Sequence, residues 1–130
     1  MPISHKIDVD KNLVITKMSG LITDEESRIN MSTIAANPHF VPERNHVIDM
    51  LGVTESRIST ERVDECASNT PFSPGSVRVF VALDQKELNL AHLYIWLTKN
   101  KLENFHVVET MDEANMVLSG NLQNPQSSHS

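Results

Sequence analysis

The chain has 130 residues, with 17 acidic against 11 basic side chains and a formal net charge of −6. That length suits one domain able to bury a real core. The acid excess, with no Lys/Arg cluster anywhere, excludes the phosphate-neutralising patch that nucleic-acid binding requires. Cys66 is the sole cysteine, so no internal disulfide can form, which fits a reducing compartment. Residues 1–10 lack a basic-then-apolar signal pattern, and no apolar run approaches about 18 residues. The expectation is a cytoplasmic protein without stable membrane insertion.

Residues 6–9 and 13–18 read as short strands joined by the turn Asp10-Lys11-Asn12. After Gly20, Thr23-Asp24-Glu25-Glu26 forms a capping box that opens a helix to about Ala36, with Ile29, Ile34 and Met31 as inward candidates. Asn37-Pro38 ends it. Residues 46–50 read as a buried strand. Ser59 or Thr60 starts a second helix that turns Val63, Cys66 and Ala67 inward, and Thr70-Pro71-Phe72-Ser73-Pro74-Gly75 is a rigid loop. Residues 77–83 make the strongest strand signal, with Val77, Val79, Val81 and Leu83 on one face and Arg78, Phe80 and Ala82 on the other. Asp84 is placed to cap a helix from about Gln85 to Lys99. Residues 105–109 form a last strand, and Thr110-Met111-Asp112-Glu113 opens a last helix closed by Gly120. Residues 121–130 are polar and read as a disordered tail, leaving residues 1–120 as one domain.

Strands separated by helices of this length pair in parallel through right-handed crossovers, with the opening hairpin antiparallel. The predicted fold is therefore α/β, a mixed five-stranded sheet with four helices. Arg78 and His106 fall on the less apolar faces of their strands, which predicts a thinner cover there.

Residues 88–97 are too apolar for a helix with one buried face. Leu90, Tyr94 and Leu97 form one stripe, Leu88, Ala91 and Ile95 a second, and Leu93 with Trp96 a third. The surplus predicts a partner, a ligand or a second subunit.

The order of elements resembles the STAS superfamily, and more closely the bacterial SpoIIAA-like proteins. The likeness rests on Ile3 to Asp8, Gly20-Leu21-Ile22-Thr23-Asp24, Asn37-Pro38-His39-Phe40-Val41-Pro42, Val47-Ile48-Asp49 with Val53-Thr54, Pro71-Phe72-Ser73-Pro74-Gly75, Val81-Ala82, Leu90-Ala91, and Glu113-Ala114 with Val117-Leu118. It covers about residues 3–119. The resemblance implies this fold, and a comparison with CRAL-TRIO lipid-carrier domains implies apolar ligands. Phosphorylated STAS antagonists carry a serine at the start of the helix after the central strand. Ser59, Thr60 and Ser56 occupy that region here, but the motif itself is missing because Met50-Leu51-Gly52 follows Asp49. Ser59 as a plain N-cap explains the same residues.

No catalytic constellation emerges. His5, His39, His46, His92, His106 and His129 are scattered without metal-ligand spacing, although His46 and His106 would be neighbours if their strands were. Cys66 faces inward, and the four glycines never approach a nucleotide-binding spacing. The expectation is a non-enzymatic module without metal or cofactor. It would be a homodimer or a protein-binding regulator, joined through Leu93, Trp96, His92 and Leu97. The alternative is a carrier or sensor of an apolar, lipid-like molecule, with the same helix as lid and Phe72, Phe80, Tyr94 and Asp49 as ligand contacts. Asp49 enters because ligand sites in open α/β sheets gather at the carboxyl ends of strands.

Overall fold

The structure is a computed structural model that describes residues 2–98 and 104–120. Five strands and four helices alternate through these residues: β1 (Ile3–Asp8), β2 (Leu13–Thr23), α1 (Asp24–Ala36), β3 (Asn45–Arg57), α2 (Thr60–Ser68), β4 (Arg78–Val81), α3 (Gln85–Leu97), β5 (Phe105–Val108) and α4 (Met111–Leu118). The sheet runs β1-β2-β3-β4-β5, with β1 and β2 antiparallel and every other pair parallel. The predicted mixed α/β fold is the one observed. Lys99 and the tail 121–130 lie outside the described residues.

Local chemistry accounts for the boundaries. Asn12 takes the hairpin turn at φ 56, a conformation asparagine tolerates better than most residues. Each helix opens on a hydroxyl or carboxylate cap. Thr23 accepts from the Glu26 amide, Ser59 from Arg62, Asp84 from Glu87 and Thr110 from Glu113. At two helices the third residue also reaches back past the cap, Glu87 accepting from the Leu83 amide and Glu113 from the Glu109 amide. Gly120 sits just beyond α4 at φ 87, as a C′ glycine should.

Alternation along the strands divides the core in two. Val47, Val79 and Val81 meet Ala114 and Val117 of α4 on one face. Ile48, Met50, Phe80 and Ala82 meet Ala91 of α3 on the other, with Leu88, Leu90, Tyr94 and Ile95 packed alongside. Val14, Ile34 and Phe72 extend that second face toward α1 and the loop after α2.

Three expectations are corrected by this packing. Arg78 is not on a thinly covered side: it shares its face with Phe80, beneath the helices, and is 2% exposed. Its register partners are His46 and Phe105, so His106 points to the opposite face and cannot neighbour His46. Ile29 turns outward and Asn30 inward, because α1 presents the Asn30–Ile34 line to the sheet. In addition, β2 and β3 run on to Thr23 and Arg57 as a parallel ribbon, with register shifts around Ser19 and Gly20. Polar Thr54, Glu55 and Arg57 can follow the strand there because they stand exposed at the end of the sheet.

Candidate functional site

The face that carries α1, α2 and α3 is not filled solid. A cavity of about 100 Å³ lies between the sheet and these helices. Its sheet wall includes Thr16, Met18, His46, Ile48, Met50, Arg78 and Phe80. Its helix wall includes Asn30 and Met31 of α1, Val63 and Cys66 of α2, and Leu90, Ala91 and Tyr94 of α3. Phe72, from the proline-rich loop, closes one side. Interiors normally leave few voids larger than a water molecule, so an opening of this size is a specific property of the chain.

One end of the cavity is polar. Thr16 Oγ1 and His46 Nε2 share a 2.8 Å hydrogen bond, and the His46 ring stacks on Phe72 at 4.5 Å. Arg78 lies beside them, with its guanidinium carbon 5.0 Å from the Phe72 ring centre and 6.0 Å from that of Phe105. Its Nη1 donates to the Tyr94 hydroxyl at 3.4 Å and its Nη2 to the Ser73 carbonyl at 3.3 Å, both near the limit of a useful bond. Among the described residues its Nε has no hydrogen-bond partner. Tyr94 in turn donates to the Cys66 carbonyl at 3.5 Å.

Burial sets the protonation states. Desolvation, with Arg78 and His5 adding positive charge nearby, pulls His46 down to about 3, so the ring is neutral at ordinary pH. Desolvation lowers Arg78, with the Tyr94 hydroxyl opposing it, and raises Tyr94. It also raises Cys66, which leaves that thiol protonated and a poor nucleophile.

Comparison of the chain with models of protein families and with curated proteins finds no match.

Of the candidates read from sequence, Phe72, Phe80 and Tyr94 are brought together on the cavity, with Phe80 and Tyr94 ring centres 5.5 Å apart. Asp49 is not among them. It lies in mid-strand, since β3 continues to Arg57, and its Oδ1 accepts from the Leu51 amide at 3.0 Å. On α3, Trp96 is 61% exposed and His92 exposed, while Leu93 and Leu97 are half-buried. Of the inner two stripes of that helix, Leu88, Leu90, Ala91, Tyr94 and Ile95 pack on the core. Among the described residues no group of three or more His, Cys, Asp or Glu side chains is placed to hold a metal ion.

Ser59 is engaged on both sides. Its hydroxyl donates to Asp24 Oδ2 at 2.6 Å and accepts from the Arg62 amide at 3.0 Å, while its own amide donates to Asp24 Oδ1 at 2.8 Å. These bonds hold the Asp24 carboxyl below its usual range. A phosphate on Ser59 would have to displace that carboxylate. Thr60 is exposed, and half-buried Ser56 accepts from the Ile58 amide at 3.3 Å. Ser59→Ala removes the cap of α2 and the hydroxyl bond to Asp24, and is expected to lower unfolding free energy by about 1 kcal/mol in urea titrations. Thr60→Ala should change it by under roughly 0.5 kcal/mol.

Sequence reasoning missed Arg78 as a site residue. The available signal was its isolation: one charge inside the apolar run 77–83, with aromatic residues at 72, 80 and 105.

Proposed function

We propose that the protein is a non-enzymatic binding module, a carrier or sensor of an apolar small molecule held between the sheet and α1, α2 and α3. The observation that carries this reading is the cavity itself, which gathers Phe72, Phe80 and Tyr94 against Met and Ile side chains. Leaving about 100 Å³ unfilled costs roughly 2 kcal/mol at the usual penalty per unit volume, and a bound molecule would offset it. An apolar cavity of about 150 Å³ takes up benzene, so the smaller space here suits only a compact body, admitted with some give in its walls. Leu90, Ala91 and Tyr94 make α3 one wall of the cavity, and a shift of that helix would admit ligand. The SpoIIAA-like resemblance, with its lipid-carrier comparison, points the same way.

A second reading is a homodimer through the outer stripe of α3, favoured by the exposure of Trp96. Both readings meet in native mass spectrometry of protein purified from its own organism. The expected spectrum shows each protomer carrying a small organic adduct, and the adduct is lost in Ala91→Leu, which fills the cavity. Protein of bare mass that takes up no apolar probe would overturn the cavity reading. A dimer without adduct would leave the interface reading standing in its place.

A further inference from the structure

We propose that the molecule this cavity selects is a small monocarboxylic acid, and that Arg78 recognises its carboxylate. The inference rests on reading the cavity as a binding site and names the ligand's head group. A guanidinium offers five N–H donors in a fixed fork that matches a carboxylate with two parallel bonds. At Arg78 two of these donors are spent on long bonds, and Nε is spent on nothing. The rings of Phe72 and Phe105 lie near its carbon at 5.0 and 6.0 Å and limit where the guanidinium can go.

The charge is also unbalanced. Among the described residues Arg78 makes no ion pair, whereas Arg62, the other arginine on the cavity, is paired with Glu65 at 3.1 Å. Among the described residues no Asp or Glu lines the cavity. The remaining polar groups at that end, Thr16, His46 and Tyr94, are neutral. A buried cation without a partner is costly in a low-dielectric setting, and a carboxylate from outside the chain would complete the pair.

The chemistry narrows the class further. One cation balances one negative charge, and a phosphate dianion would bring a second into walls whose other cation, Arg62, is already paired with Glu65. The volume favours a compact ring or branched body over an extended acyl chain. Benzoate is a suitable probe: its ring takes the apolar part and its carboxylate meets Arg78.

Isothermal titration calorimetry with benzoate, benzyl alcohol and inorganic phosphate tests this on the whole chain. Wild type is expected to bind benzoate at least about tenfold more tightly than benzyl alcohol, and to show no heat with phosphate. In Arg78→Met the benzoate advantage should vanish while benzyl alcohol binds as before, with circular dichroism confirming the fold. Arg78→Lys, which keeps the charge but loses the fork, should weaken benzoate by about fivefold or more. That variant carries the test if Arg78→Met does not fold. Equal affinity for benzoate and benzyl alcohol, or benzoate affinity unchanged in either variant, would overturn the carboxylate inference and leave the cavity reading intact. Phosphate binding as well as benzoate would overturn the monocarboxylate class. Absence of binding by all three probes would defeat the cavity reading itself.

Discussion

Between about pH 7.5 and pH 4.5 the protein is expected to lose about 3 kcal/mol of unfolding free energy to His46 alone. The ring is neutral in the fold because burial, reinforced by Arg78 and His5, lowers it from 6.5 to about 3. An unfolded chain binds a proton near pH 6.5, so acid stabilises the unfolded state first. The folded protein therefore keeps its full stability above about pH 6.5, loses it progressively below, and stops losing it only near pH 3. Half-buried His106 is also lowered by burial, and so it works in the same direction below about pH 6.5. Asp24 acts in the same direction but at a lower pH, because its carboxyl lies below 3.8. Urea midpoints measured across this range for wild type and His46→Gln separate these contributions. Glutamine keeps a polar partner for Thr16 and cannot titrate, so most of the slope should disappear. A slope unchanged in His46→Gln would show that the ring is not held neutral.

Arg78→Met is expected to make the protein more stable, by about 1–3 kcal/mol, although it removes one of the most buried side chains. The substitution abolishes two long hydrogen bonds and two cation–π approaches at 5.0 and 6.0 Å. Each cation–π approach contributes about 0.5–2 kcal/mol and each marginal hydrogen bond less than about 1 kcal/mol. Against them stands the desolvation of an unpaired guanidinium, several kcal/mol even after relaxation. Methionine matches the length of the apolar stem and brings no charge. Calorimetric melting should show a midpoint raised by about 4 °C or more. The same substitution removes a positive neighbour of His46, so the acid sensitivity described above should also become shallower. A midpoint lowered by several degrees would mean that the aromatic and carbonyl interactions outweigh the cost of burial.

Most of the fold was legible because its signals are local. The caps Thr23, Ser59, Asp84 and Thr110 stand where the sequence places them, and so does the left-handed Gly120. What escaped was set by tertiary context. Residues 51–57 carry too few apolar side chains to read as strand, yet pairing with β2 extends β3 through them. Ile29 and Asn30 exchange places because a helix with so weak an apolar stripe is rotated by its neighbours. The cavity was partly legible in Phe72, Phe80 and Tyr94. Its polar end was not, because a charged residue in a strand is ordinarily taken to face water, and only the cover supplied by three helices reverses that for Arg78. Asp49 was misplaced for a related reason: the strand does not end where its apolar run does.

The order β1-β2-β3-β4-β5 also bears on how the molecule comes together. Every strand lies beside its neighbour in sequence, so each new unit docks on an edge that its predecessor has just formed. Closure entropy is met in small steps, and a chain emerging from its N-terminus can add structure in the order it is made. The pieces that enclose the cavity arrive in the same succession. Thr16 and His46 are in place with the first three strands, Phe72 and Arg78 follow, and Tyr94 comes only with the last third of the chain. The cavity is thus complete only once α3 is in place, since Leu90, Ala91 and Tyr94 supply one of its walls.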